Sequence, residues 1–240
     1  MLNFLLAVTI AYSQDTTFYD INWYETKRIE EATYYKVVWH DERNSDKVQV
    51  KVYYKLTGKP KFSASYSSYK NRIRDGKELR WFANGQLASE AEYVKGNLHG
   101  KIISYTEKGE IKRQDLYKDG DLVEGKSFGV GGHRVPHSSH EILPEFPGGI
   151  DKLIQYLVAE IKYPKKQRDK RMQGQVKISF FILEDGSVAN IHIMESPHED
   201  FSKEAIRVIK KMPKWKPGVI DNRIEVFDLL LPLDFTIQEL

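Results

Sequence analysis

Pro144-Glu145-Phe146-Pro147-Gly148-Gly149 opens the stretch that decides the fold, and Pro232-Leu233-Asp234-Phe235 closes it. Between them the punctuation alternates between helix and strand signals. Ile150, Leu153, Ile154, Leu157, Val158 and Ile161 recur at helical spacing and predict one apolar face on a helix from about Gly149 to Lys162. Asp151 suits its first turn, and Pro164 forbids its continuation. From Val176 to Leu183 the period changes to two, with Val176, Ile178, Phe180 and Ile182 on one side. Asp185-Gly186 signals a hairpin, and Ala189, Ile191 and Ile193 give the return strand its apolar side. A second helix follows, with Asp200 as its expected cap and a stripe of Phe201, Ala205, Val208, Ile209 and Met212. Lys210 and Lys211 suit its C-terminal dipole, and Pro213 stops it.

The last strand reads from Arg223 to Phe235, with Phe227, Leu229, Leu231, Leu233 and Phe235 directed toward the helices. Pro232 has no N–H to give a central ladder, so this is an edge strand. An open edge offers N–H and C=O groups that an extended peptide completes. The same edge could instead be guarded by its charges, Glu225 and Asp228, or pair with a second copy of the chain.

Upstream, Tyr54/Gly58/Tyr66, Trp81/Gly85/Tyr93 and Tyr105/Gly109/Tyr117 repeat one aromatic–glycine–tyrosine spacing. The last two copies stay in register from Gly76 and Gly100 onward, the mark of stacked supersecondary units that bury a face only together. Asn84-Gly85, Lys108-Gly109, Lys95-Gly96 and Asp119-Gly120 are turn signals, so each unit reads as a hairpin whose aromatics build a thin core. The segment from Ala32 to Trp39 is expected to supply opening strands of the same sheet.

These patterns give an α+β chain. A signal peptide occupies residues 1–13, an all-β hairpin-repeat sheet 14–126, a Gly/Ser-rich linker 127–143, and a small two-layer α/β domain 144–240. The latter is expected as two helices on a three-stranded antiparallel sheet. The apolar run Phe4–Tyr12 before Ala11-Tyr12-Ser13 carries the export reading; a short buried strand or helix is the alternative. No run reaches the roughly 20 apolar residues of a membrane span.

Composition narrows the chemistry further. Cysteine is absent, which removes disulfides, thiolate nucleophiles and Cys-ligated metals. Net charge is +3 with both signs interspersed, against a nucleic-acid surface. The cations between Lys162 and Arg171 read as a solvated loop. His133, His137 and His140 lie near Glu141 and Glu145, but on a Gly/Ser segment they read as soluble side chains, and neither a metal nor a cofactor is expected. His192 and His198 are isolated. No nucleophile elbow, zincin, P-loop or dinucleotide motif is present, and the chain reads as non-enzymatic.

The module at about 144–237 resembles the C-terminal domain of TonB. The repeats at about 47–126 resemble MORN-type (YwqK-like) hairpin repeats. The first resemblance implies a periplasmic, energy-transducing protein that grips the TonB-box peptide of outer-membrane receptors by strand addition. Carried onto this sequence, the peptide site falls on Arg223, Ile224, Glu225, Val226, Phe227, Asp228, Leu229 and Leu230, ahead of Pro232. The second reading is an envelope adaptor that forms a homodimer through this domain and docks partners through its repeats.

Overall fold

The computed structural model describes residues 14–237, so residues 1–13, the segment read as a signal peptide, lie outside the described residues. Two compact units divide the chain. One runs to Asp20 and resumes from Thr26 to His137; the other holds Ile21–Glu25 and the residues from Ser138 onward.

The first unit is a single antiparallel sheet. Its strands are β1 (Gln14–Tyr19), β2 (Tyr34–His40), β3 (Val48–Tyr54), β4 (Pro60–Ser68), β5 (Ile73–Trp81), β6 (Leu87–Val94), β7 (Asn97–Leu98), β8 (Gly100–Tyr105), β9 (Ile111–Lys118), β10 (Asp121–Phe128) and β11 (Arg134–Val135). They follow chain order, with the short β7 paired to β6 beside the main path. The repeat is visible in the backbone itself. Gly85 N–H donates to Phe82 O and Gly109 N–H to Thr106 O, both at 2.9 Å; Gly96 N–H donates to Arg74 O and Gly120 N–H to Leu98 O. Lys95-Gly96 and Asp119-Gly120 have positive φ at both positions (50° and 89°, 53° and 96°). That is the turn whose twist matches its flanking strands.

Apolar packing in this sheet is local. Val38, Val48 and Val50 gather Phe62, Tyr66 and Tyr69, and Ala91, Tyr93 and Ile102 gather Leu98 and Tyr117. The sheet also buries charge. Glu78 is 5% exposed and accepts from Arg74 Nη1 at 2.8 Å and Arg80 Nε at 2.9 Å. Arg113 and Asp115, 2% and 3% exposed, pair at 2.9 Å.

The segment read as a linker begins inside β10 and continues through β11, which pairs with β10, so the first unit extends to His137. Gly125 leaves room for His137: a Cβ there would fall 2.6 Å from the His137 Nε2.

The second unit comprises β12 (Glu141–Ile142), α1 (Gly149–Glu160), α2 (Lys165–Asp169), β13 (Gly174–Ile182), β14 (Val188–Glu195), α3 (Glu199–Lys210), β15 (Val219–Ile220), β16 (Arg223–Ile224) and β17 (Phe227–Phe235). Its main sheet is three-stranded and antiparallel in the order β14-β13-β17, with a smaller sheet β12-β15-β16. Val176, Ile178, Phe180 and Ile182 on β13 are at most 1% exposed and pack against Phe201, Ala205 and Ile209 of α3 and Leu153 of α1. Phe201 stacks on Phe235 with centroids 4.4 Å apart. Full burial of one such side chain contributes about 1.5–3 kcal/mol.

Four expectations change here. The basic run Lys162–Arg171 is not all loop, because α2 forms within it and Gln167 is 2% exposed beside His198. The cap of α3 is His198, whose Nδ1 accepts from the Asp200 N–H at 3.0 Å, rather than Asp200. On α1 the six apolar residues do not share a buried face: Leu153 is 5% exposed, whereas Ile150, Ile154 and Val158 are 68%, 52% and 78% exposed. Helix α1 meets the sheet and α3 over one sector only, and the stripe is wider than that sector. Finally, the strand expected from Arg223 to Phe235 is broken at Glu225-Val226 into β16 and β17.

Candidate functional site

The break in the last strand follows from local chemistry. Asp221 and Asn222 both have positive φ, 50° and 62°, and form a two-residue turn that folds Arg223-Ile224 back on Val219-Ile220. Asp and Asn tolerate this backbone region better than other non-glycine residues. Glu225 N–H then donates to Gly218 O at 3.1 Å. Gly218 is needed there, since a Cβ would lie 2.3 Å from the Phe227 ring. The chain leaves this small sheet at Val226 and enters the main one at Phe227.

The expected site residues therefore divide into two groups. Arg223 and Ile224 lie in β16 with β15 as partner, and the Arg223 guanidinium is 3.8 Å from the Glu225 carboxylate. Glu225 and Val226 form the crossover. Phe227, Asp228, Leu229 and Leu230 begin β17. Phe227 is buried, Leu229 and Leu230 are half-buried, and Asp228 Oδ1 accepts from Ser179 Oγ at 2.9 Å.

Strand β17 pairs with β13 from Gly174↔Phe235 to Ile182↔Phe227 without a register shift. It is the outer strand of its sheet, and no further strand among the described residues lies beyond it. Pro232 occupies its middle, half-way along the outer margin, as an edge position allows.

The opposite margin, β14, is built differently. Its ladder with β13 shifts register twice, and Asn190 in its middle has φ 48°. The Asn190 amide bonds Trp23 O and accepts from the Glu25 N–H at 2.9 Å, while His192 stands 3.6 Å from the Glu25 carboxylate. Bulges and side-chain cover are two ways in which a sheet edge is closed to further strands. Of the two margins of this sheet, β17 is the regular one.

The turn joining β13 to β14 fixes the far end of this sheet. Gly186 has φ 82°, and a Cβ there would fall 2.0 Å from Trp215 O, while its own carbonyl accepts from the Trp215 N–H at 2.8 Å. Asp185 beside it is held well below the usual carboxylate range by hydrogen bonds from Lys214 and then Ser187. Trp215 in turn packs edge-on to Phe146 and Phe180, locking the entry to α1 onto the sheet.

The three histidines of the former linker disperse. His133 sits on Gly129, His137 beside Arg113 and Ser127, and His140 is buried with its carbonyl accepting from Asp221 N–H. Among the described residues no group of three or more His, Cys, Asp or Glu is placed to hold a metal ion, and no helix is long and apolar enough to cross a membrane.

Two helices over a three-stranded antiparallel sheet with one regular outer strand define a small α/β module. Residues 159–237 match the family model for the Gram-negative bacterial TonB protein C-terminal. The match covers α2, β13, β14, α3 and β15 to β17, and it makes this part of the chain TonB-like. A large antiparallel sheet precedes it. Neither the curated proteins nor the solved structures contain a match to the chain.

Missed in the sequence were the Asp221-Asn222 turn and the crossover it forces. The signal was present, since adjacent Asp and Asn between short apolar pairs favour a tight turn.

Proposed function

We propose that this chain is a non-enzymatic, periplasmic TonB-like protein that binds the TonB-box peptide of outer-membrane receptors by strand addition and takes part in energy-coupled transport across the outer membrane. One observation carries the reading: β17 is an outer strand with nine residues in unbroken register, and no strand of the described residues lies beyond it. The family-model match to the same residues supports it. Main-chain hydrogen bonds would provide affinity, and the side chains flanking the edge would provide selectivity.

The docking segment of this proposal is Phe227 to Leu230, continuing to Leu231. Arg223 to Val226 form the rim at its start, because β16 already has a partner in β15. The repeat sheet would serve as a platform for another envelope component.

Titration of the whole protein with TonB-box peptides, followed by amide NMR, tests this reading. Shifts concentrated on Phe227–Leu231 are expected. Shifts confined to β14, or none on either margin at millimolar peptide, would overturn it.

A further inference from the structure

We propose that the uncovered flank of α1 is the second wall of the docking groove, and that it selects extended peptides with apolar side chains at three alternate positions. This deepens the strand-addition reading and rests on it.

The side on which the flank lies follows from packing. Tyr156 Oη donates to Val208 O at 2.9 Å, and Arg207 Nη2 donates to Glu160 O at 2.5 Å, so α3 lies on the Tyr156–Glu160 side of α1. Helix α3 packs over β14 and β13, and Tyr163, just past the end of α1, packs on Phe235 of β17, which sets α1 toward the β17 half of the sheet. At about 100° of rotation per residue, Ile150, Ile154 and Val158 centre roughly 100° from the buried Leu153, on the side away from Tyr156. That direction is beyond β17, where no strand of the described residues lies.

Direction and spacing also agree. Before the helix, Phe146 packs on Trp215, which packs on Phe180, the β13 partner of Leu229. After the helix, Tyr163 packs on Phe235. Helix α1 therefore runs alongside β17 in the same sense. Its three exposed residues recur every four positions, about 6 Å along the axis. Alternate side chains of an extended strand recur every 6.6–6.8 Å or so. Three successive helix-facing side chains of an added strand would each meet one of the three.

The opposite side of the edge makes no such demand. Asp228, Pro232 and Asp234 are exposed there and Leu230 is half-buried, so the intervening peptide residues meet mostly water and polar groups. The stripe is also the apolar surface adjoining an open backbone margin, and one occupant, a peptide strand, satisfies both together.

The test uses the whole protein and two synthetic peptides, one with valine at three alternate positions and threonine elsewhere, the other with serine replacing each valine. Amide shifts on Leu229–Leu231 report strand addition, and the titration gives the affinity. The valine peptide should bind roughly tenfold or more tightly than the serine peptide. That preference should vanish in the Ile150→Ser/Ile154→Ser/Val158→Ser variant at unchanged thermal unfolding. If the triple variant unfolds early, Ile154→Thr alone should reduce the preference. Should β17 respond equally to both peptides, or the variant keep the preference, the stripe has no selective role and strand addition stands. Should β17 respond to neither, strand addition itself fails. A dimer seen by light scattering and dissolved by the triple variant would make the stripe a self-association seam and overturn the proposal.

Discussion

The two units of this chain handle charge in opposite ways. In the C-terminal unit the cluster between sheet and helices is built from Phe180, Phe201, Ile178, Ile209 and Phe235, while Gln167, Ser179 and Asp221 are polar residues buried elsewhere in the same unit. In the N-terminal sheet, Glu78 lies beneath two arginines, and Arg113 lies against Asp115. A two-layer fold has a second layer with which to exclude water. A sheet built from repeats has short apolar clusters separated by small residues, Ala64, Ser89 and Ser104, over which long charged side chains lie. Arg74 and Arg80 cover Tyr93 and Phe62 with their guanidinium planes, at 4.0 and 4.9 Å from the ring centroids. The apolar parts of charged side chains thus replace part of a missing layer.

That contrast can be broken experimentally. The largest effects are expected from single truncations that leave something unmatched. Phe201→Ala should destabilise the C-terminal unit by about 3–5 kcal/mol, through lost transfer energy and the cavity left over Phe235. Asp115→Ala should cost the N-terminal unit a similar amount, about 3–5 kcal/mol, because Arg113 stays buried without its counter-ion. Denaturant unfolding followed by fluorescence in variants that keep only Trp39 and Trp81, or only Trp23 and Trp215, separates the two units. The sharper test is the double variant Arg113→Met/Asp115→Leu. It should recover most of the loss and come within about 1 kcal/mol of the parent, since replacing a buried ion pair with apolar residues is often neutral. No comparable rescue exists for Phe201→Ala.

Acid should separate the two units next. Burial alone would raise the Glu78 carboxyl, but Arg80 and Arg74, with their hydrogen bonds, outweigh it and hold the group below its ordinary value. A carboxyl lowered in the folded state stabilises fully above its unfolded value, near 4.5, and loses that contribution as pH falls through the folded value. The N-terminal unit should therefore weaken below about pH 4.5, and Glu78→Gln should flatten that part of the profile. An unchanged acid profile in Glu78→Gln would remove this group from the account.

The smallest effect concerns the crossover that separates β16 from β17. Asn222→Ala keeps the β-carbon at φ 62° but removes the short polar side chain that makes this backbone region tolerable, and should cost about 1 kcal/mol, whereas Asn222→Gly should be neutral or slightly stabilising. Both are read as shifts in the melting temperature of the C-terminal unit.

Much of the architecture was legible before the coordinates. Glycine and turn dipeptides marked the repeat hairpins, because a positive φ has few residue solutions, and Gly85, Gly96, Gly109 and Gly120 all occupy that region. Alternation on Val176–Ile182 and the proline at 232 located a central and an outer strand, because burial on both faces and a missing N–H each constrain sequence. Half of the candidate site, Phe227 to Leu230, falls on that outer strand. Arg223 and Ile224 fell elsewhere, because the Asp221-Asn222 turn competes locally with strand continuation, and short hairpins carry too few residues for periodicity to show.

What the sequence determined alone was periodic or stereochemical: strands, helices, turns and the order in which they occur. Only the tertiary structure decided which half of an apolar helix face stays bare, which sheet margin is closed by a bulge and a side-chain amide, and which charges go inside. These depend on neighbours distant in the chain. Leu153 and Ile154 look alike in sequence, and only the position of α3 relative to β17 buries one and leaves the other in water.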